Sequence, residues 1–444
     1  MDRPTRRVTK EGRWTRDDFL KRTGAGALVI VGLPSLADPA LAAYRATRKT
    51  LKIGFFGAFS GPLALSGLDL RRGFDLYLAT RNGQLGGRPV EVVYEDDAGN
   101  PAQALTKVRK LVEQDRVTIL VGGVSAATGP PLHGYVNQVG MPWVNSLIAA
   151  DAMTQRLPNS YMIRLGESSS QASHYFGEWV RKTLKYERVA VIGFDFLLGY
   201  EVAAGFQDVF QRMGGSVVQK IWSPLGTADF SPFLSRIERD VDAVFAVFAA
   251  IDAVRFMTQY HQFGLKQQIP LIGGWTTTDE VTLSAPGLPA EAALGVITAG
   301  RYSAVLRSKA NDEFQRRYNA RYRGESVGSS TASDGWTSGL AIELALKRRP
   351  DTSNRRKFAA AFKGLVIPNA PRGPITIGPD LNPVHNTYIR RVTRPGRNLP
   401  PGYTLPLANT VLFTYRDTNQ YWKFDKDSYL SRPPYSRDHP PTRG

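Results

Sequence analysis

The sequence predicts an α/β fold made of two doubly wound, parallel-sheet lobes. Three observations carry that expectation. Short apolar segments alternate with helix-patterned ones from residue 51 onward, the alternation restarts near residue 188, and glycine-rich turns follow several of the strand-like segments. A βαβ order implies parallel strands with helices on both faces of the sheet.

The elements follow in order. Residues 51–56 (LKIGFF) form an apolar strand, and the loop GAFSGPLALSG leads into a helix over 68–80 with Leu70, Phe74 and Tyr77 on one face. A second strand covers 90–95. A helix over 100–114 has Pro101 in its first turn. Strand 118–121, helix 130–139 and strand 141–145 complete the first unit. The second unit reads strand 188–193, helix 200–213, strand 217–222, helix 230–239, strand 242–248, helix 253–263 and strand 270–273. Residues 292–370 add a strand and helices over 311–322, 335–347 and 355–362. Residues 371–426 read as strands with Gly/Pro turns, and 427–444 as a disordered basic tail.

Composition narrows the function. The 444-residue chain carries a net charge of +18, but part of the excess sits at its ends: residues 1–43 hold eight Lys/Arg against five acids. No zinc-finger spacing, basic helix or aromatic RNA-binding motif accompanies the charge, so nucleic acid is not an expected partner. The chain has no cysteine and five histidines, which excludes disulfides and thiolate chemistry and leaves a histidine metal cluster without support. Residues 1–43 read as an export signal: a basic stretch (Arg13, Arg16, Lys21, Arg22), the apolar run GAGALVIVGLPSLA, and Ala40-Leu41-Ala42 as an A-x-A cleavage site. The segment TRDDFLK is similar to a twin-arginine signal, with Asp17 in place of the second arginine. No later segment reads as a membrane span, so a periplasmic protein is expected.

In such sheets, ligands sit beyond the carboxyl ends of the strands, where free helix N–H groups accept anions. Loops 57–67, 122–129 and 145–151 of the first lobe meet that description, as do 194–200, 248–252 and 273–279 of the second. The turn VGGVSAATGP has two glycines, Ser125 and Thr128, and a helix opening at Pro130. No dinucleotide fingerprint, P-loop or nucleophile elbow follows a strand, so neither a catalytic residue nor a cofactor is assigned. Asp96-Asp97 reads either as a carboxylate pair for acid–base or metal chemistry or as a cap. His133 and His261 read as structural.

Several phrases together carry a family resemblance. They include IGFFGAFSGP with Gly73, VVYEDDAGNPAQALTKVRKLV, ILVGGVSAATGPPLHGYVNQVGMPWVNS, RVAVIGFDFLLGYEVAAGF, DGWTSGLAIELAL and GPITIGPDLNPVHNTYI. In order and spacing they resemble type I periplasmic binding proteins of the branched-chain amino-acid group of ABC transporters, across roughly residues 49–425. The resemblance implies a first lobe of 49–166 plus 299–370 and a second of 167–298 plus 371–426, joined by a three-strand hinge and closing on a ligand that is handed to a membrane permease. It also implies that a ligand carboxylate sits on the 122–128 turn (Ser125, Ala126, Ala127, Thr128), with help from the loop NSLIAAD at Ser146 and Ala149. Ser125 either serves that seat or merely caps the helix.

At the other end of the ligand, family members that bind amino acids carry an acid for the ammonium group, and the matching position here is Trp275. Leu198, Ala249 and Ser66 likewise replace aromatic residues. With Phe196 and Phe248 these changes make the wall apolar. Asp279 is the nearest substitute acid, should its loop fold back. An apolar or aromatic carboxylate is therefore the expected ligand. A branched-chain amino acid, or a sensing module without a transporter, is the alternative.

Overall fold

The computed structural model describes residues 50–157, 159–323 and 327–443. The expected export signal, residues 1–43, lies outside them. The first sheet contains β1 (Leu51–Gly57), β2 (Gln84–Leu85), β3 (Arg88–Asp96), β4 (Ile119–Gly122), β5 (Trp143–Asn145) and β6 (Met162–Arg164), in the order β2-β3-β1-β4-β5-β6. Only β2 is antiparallel to its neighbour. The second sheet begins with β7 (Arg188–Phe194), β8 (Ser216–Ser223), β9 (Ala243–Val247), β10 (Leu271–Gly273) and β11 (Ile297–Gly300). It ends with β12 (Val366–Ile367), β13 (Ile375–Ile377), β14 (Pro383–Thr393) and β15 (Ala408–Thr418). Its order is β12-β13-β14-β11-β10-β9-β7-β8, with β15 on β14. Strands β7 to β11 are parallel, and the later ones antiparallel.

The helices that position the cleft are α1 (Ala64–Thr80), α2 (Pro101–Arg109), α3 (Gly129–Val139), α4 (Ala152–Gln155), α5 (Gln171–Trp179), α6 (Leu197–Arg212), α7 (Ala250–Gln262), α8 (Glu280–Leu283), α9 (Lys309–Arg321), α10 (Ser330–Arg348) and α11 (Lys426–Ser431). Local sequence accounts for their ends. Asn100 caps α2 by accepting from the Gln103 N–H, with Pro101 in the first turn. Gly140 closes α3 in the left-handed region at φ 63°. Ser329 caps α10 through the Ala332 N–H.

The late helix α10 returns to the first sheet and packs on α1. The approach is close enough that glycine is required on both faces. A Cβ at Gly73 would lie 1.8 Å from the Ala332 carbonyl oxygen, and one at Gly335 2.0 Å from that of Leu70. The segments after β6, after β11 and between β12 and β13 each contribute one buried charge. Arg301 Nη1 donates to Glu167 Oε1 at 2.9 Å, and Arg372 Nη1 to Asp334 Oδ1 of α10 at 2.8 Å. Arg301 also pairs with Asp334, and all four side chains are buried. Each charge is thereby matched, which burial requires.

Two expectations are corrected. The helix read over 230–239 is one turn, Ser231–Leu234. Beyond it the Gln219 side chain bonds both Arg236 O and the Glu238 N–H, pinning a loop in place of a helical ladder. The tail 427–444, read as disordered, is ordered through residue 443. Tyr421, Tyr429 and Tyr435 form an apolar cluster with Ala204, joined by Phe424 and Leu430. Arg432 and Tyr435 both reach Asp208 Oδ2 at 2.7 Å, and Lys423 reaches Glu178 at 2.8 Å. The aromatic residues supply apolar surface that the Pro-rich, charged composition disguised. Among the described residues, no helix is long and apolar enough to cross a membrane.

Candidate functional site

Strand order reverses between β1 and β4 in the first sheet and between β7 and β9 in the second. Such switch points leave a crevice beyond the strand ends. The loops from both crevices line one cavity. From the first lobe come Leu63, Ser66, Val124, Ser125, Ala126, Leu147, Ala149 and Thr331. From the second come Phe196, Leu198, Ala249, Ala250, Trp275, Thr276, Asp279 and Val281.

The turn after β4 is built by its glycines. Gly122 has φ 104°, and a Cβ there would lie 2.2 Å from the Phe56 carbonyl oxygen. Gly123 N donates to that oxygen at 2.8 Å, and Trp143 Nε1 holds Gly122 O at 3.2 Å. Thr128 Oγ1 donates to Ser125 O at 2.8 Å. These bonds fix the turn so that a short 3₁₀ turn, Ala126–Thr128, opens α3. No side chain caps that turn: the Ser125 hydroxyl does not close it, which disposes of the capping reading.

The same holds around the cavity. Helix α1 begins at Leu63, α6 at Phe196 and α7 at Ala249, each without a side-chain cap. The first N–H groups of α1 are taken up by Gly61 O and Leu63 O, so the helix starts that can turn towards an anion at the cavity are those of α6 and α7 and of the turn after β4. The loop after β5 is held from behind. Asn145 exchanges side-chain bonds with Ile148 N and O at 2.9 and 2.8 Å, and buried Arg164 donates to Ala149 O at 2.8 Å. At its end, Asp151 N donates to both Glu201 carboxylate oxygens at 3.1 Å, joining this loop to α6.

The second-lobe wall centres on Trp275. Its ring lies 4.0 Å from the Arg301 guanidinium, and its carbonyl accepts from Arg390 Nη2 at 3.1 Å. The indole thus connects the cavity to the charge cluster between the lobes. Asp279 does fold back to the wall. Its Oδ1 accepts from Val281 N at 3.1 Å as the cap of α8. Burial, reinforced by neighbouring Glu280, raises its carboxyl to about 7.

Of the residues expected from sequence, Ser66, Ser125, Ala126, Ala149, Phe196, Leu198, Ala249 and Trp275 meet at the cavity. Four do not line it. Ala127 is half-buried in the turn, and Thr128 braces the turn from inside. Ser146 shares a 2.8 Å hydrogen bond with Ser338 of α10. Phe248 packs in the core against Phe194, Phe230 and Phe256, with ring centroids 5.2, 5.1 and 4.6 Å away. Sequence reasoning missed Leu63, Val124, Leu147, Ala250, Thr276, Val281 and Thr331. Val124 and Leu147 flank expected residues and were within reach. Thr331 comes from a helix 200 residues downstream, with no local signal.

Asp96 and Asp97 have structural roles. Asp96 Oδ1 accepts from Phe59 N and Ala98 N at 2.8 and 2.9 Å, and Asp97 Oδ1 from Gly99 N at 2.8 Å. Among the described residues, no group of His, Asp and Glu is placed to hold a metal ion.

A family model described as periplasmic binding protein matches residues 50–397. The chain is 30% identical over 370 residues to a Leu/Ile/Val-binding protein homolog of Brucella melitensis, covering 82% of this chain and 93% of that one. It is similar in structure to an ABC transporter substrate-binding protein from Sphaerobacter thermophilus, with 31% identity, TM-score 0.75, and coverage of 84% and 99%. It is also similar to an ABC transporter solute-binding protein from Rhodopseudomonas palustris solved with 3,4-dihydroxybenzoic acid, with 28% identity, TM-score 0.76, and coverage of 83% and 98%.

Proposed function

The chain belongs to the periplasmic binding protein family, the substrate-binding proteins of ABC transporters, and on that premise we propose that it captures a small carboxylate with an aromatic or apolar body. Membership implies an extracytoplasmic location. The export reading of residues 1–43 fits it, and the partner that follows is the membrane permease of an importer.

The observation that carries the ligand class is the composition of the cavity. Uncapped helix starts at Ser125, Phe196 and Ala249 offer N–H groups to an anion. The wall beyond is Leu63, Val124, Leu147, Leu198 and Trp275. The carboxylate sits on the Ser125–Ala126 turn, and the apolar body lies against Trp275. The Rhodopseudomonas palustris neighbour, solved with an aromatic acid, supports this reading.

A second reading, a branched-chain amino acid, has one observation in its favour: Asp279 lines the cavity and could face an ammonium group. The name of the Brucella relative points the same way.

A thermal-shift panel separates the two. A ligand at 100 times its Kd stabilises the folded state by about 2.7 kcal/mol. Benzoate-like acids are expected to raise the melting temperature by a few degrees and leucine to leave it unchanged. Stabilisation by leucine, isoleucine or valine but by no aromatic acid would replace the first reading with the second.

A further inference from the structure

Away from the ligand cavity, a groove runs along α9, between α1, α10 and the loop that joins β14 to β15. One end is lined by Tyr77, Lys309, Trp336 and Leu340, and the other by Asn319, Arg323, Gly402 and Thr404. Arg316 and Pro401 line both ends and make them one surface. The loop is fixed to the helix. Asn319 Nδ2 donates to Pro401 O at 3.1 Å, and Arg307 Nη1 to Leu399 O at 3.2 Å. The groove therefore lies where a hairpin of the second sheet meets a helix packed on α1.

Its free charge is positive. Lys309, Arg316 and Arg323 recur every seven residues, which is two helical turns, so they line one side. Lys309 and Arg323 are exposed, and neither has a hydrogen-bond or ion-pair partner among the described residues. The acids along the groove are already matched: Glu313 by Arg316 and Arg317, and Asp312 by Arg307 at 3.3 Å. The floor between the cations is apolar. The Trp336 ring stands edge-on to Tyr77 with centroids 5.1 Å apart, and Leu340 lies one turn further along α10. Trp336 is 8% exposed, so this floor is recessed below the rim.

The dimensions choose among anions. Lys309 and Arg323 lie about 20 Å apart along the helix axis at about 1.5 Å per residue. A small anion reaches only one of them. A flat lipid surface meets the rim cations but not the recessed ring of Trp336. An extended chain of about six residues, at about 3.3 Å each, spans both cations and lowers one side chain onto the floor. We propose that this groove docks an acidic polypeptide segment of a partner protein, with carboxylates on Lys309, Arg316 and Arg323 and one apolar side chain seated on Trp336 and Leu340. The surface is separate from the ligand cavity and does not depend on which ligand that cavity takes.

The test is fluorescence anisotropy of the full chain with a labelled octapeptide of six glutamates and two leucines. Two further peptides replace the glutamates with lysine or the leucines with serine. Wild type is expected to bind the acidic peptide, more weakly as salt rises, and not to bind the lysine peptide. The double variant Lys309→Gln, Arg323→Gln removes exposed, unpaired charges on which the fold does not depend. It should weaken binding about fivefold, the scale of two exposed ion pairs. The control Lys357→Gln, Lys363→Gln, at exposed cations outside the groove, should change it by less than about twofold. Serine for leucine in the peptide should cost about tenfold. Absence of binding by the acidic peptide, an equal loss in the two double variants, or equal binding of the serine peptide overturns the proposal. Binding to phosphatidylglycerol vesicles that the groove variant loses, without binding of the acidic peptide, assigns the cations to a membrane surface and overturns it as well.

Discussion

Ser125 and Trp275 line the cleft from opposite lobes and divide the recognition between them. Ser125 offers a hydroxyl that no helix start uses, beside backbone N–H groups. Trp275 offers a ring backed by the Arg301 guanidinium at 4.0 Å. Trp275→Ala is expected to weaken ligand binding by about 2–4 kcal/mol, in line with buried aromatic anchors elsewhere; an unchanged affinity by titration calorimetry would remove the ring from the contact. Ser125→Ala should cost about 2 kcal/mol, the scale of one hydrogen bond to a charged group. Both residues were legible because each sits in a glycine-led turn directly after a strand. Phe248 shows the limit of that signal. It occupies the same kind of position, but its ring turns inward to Phe194, Phe230 and Phe256, and no local pattern distinguishes the two directions. Asp279 was visible only as a conditional substitute, since its place depends on how the loop after β10 folds back.

At the scale of elements, the ordered C-terminal segment makes the clearest prediction. Tyr435 donates to Asp208 Oδ2 and lies 2.9 Å from His174 Nε2, while Arg156 of the first lobe donates to Leu430 O at 2.6 Å. The segment therefore grips α5 and α6 and reaches across to the end of α4. Tyr435→Ala should lower stability by about 3 kcal/mol, the range for deleting a buried aromatic ring, as read from chemical denaturation. A pH dependence follows from the same contact. Burial lowers His174 to about 3, below the ordinary value near 6.5. The unfolded chain takes up a proton below pH 6.5 and the folded one does not. His174 thus contributes stability that is full above pH 6.5 and is lost as pH falls toward 3. Wild type should lose more melting temperature than His174→Gln between pH 7 and pH 5; equal losses would show that His174 does not titrate in that way. Neither feature was legible. Prolines and charges set the composition of the tail, and only tertiary packing reveals that its aromatic residues share one cluster. The parallel-strand elements, by contrast, announce themselves through short apolar runs and glycine turns, and the close α1–α10 contact depends on Gly73 and Gly335, both within the phrases that carry the family resemblance.

For the whole molecule, the buried cluster of Glu167, Arg301, Asp334 and Arg372 ties the segments after β6, after β11 and between β12 and β13 to α10. Removing one member leaves its partners charged and unpaired, so Asp334→Ala should cost about 3–5 kcal/mol of stability, far more than an exposed ion pair. A loss below about 1 kcal/mol in urea unfolding would contradict that role. The two-lobe plan could be read from the repeated βα order, but the cluster could not, because its members are separated by up to 205 positions and meet only when those segments align. The central claim is that the two switch points close on a carboxylate seated at Ser125, with its apolar body against Trp275. A crystal structure of the chain with the most stabilising acid from the panel tests it most directly. The account predicts carboxylate oxygens within hydrogen-bond distance of the Ser125 hydroxyl and the Ala126 N–H, and the ligand body packed on Trp275. A carboxylate directed at the Asp279 wall, or a ligand bound outside this cavity, would contradict it.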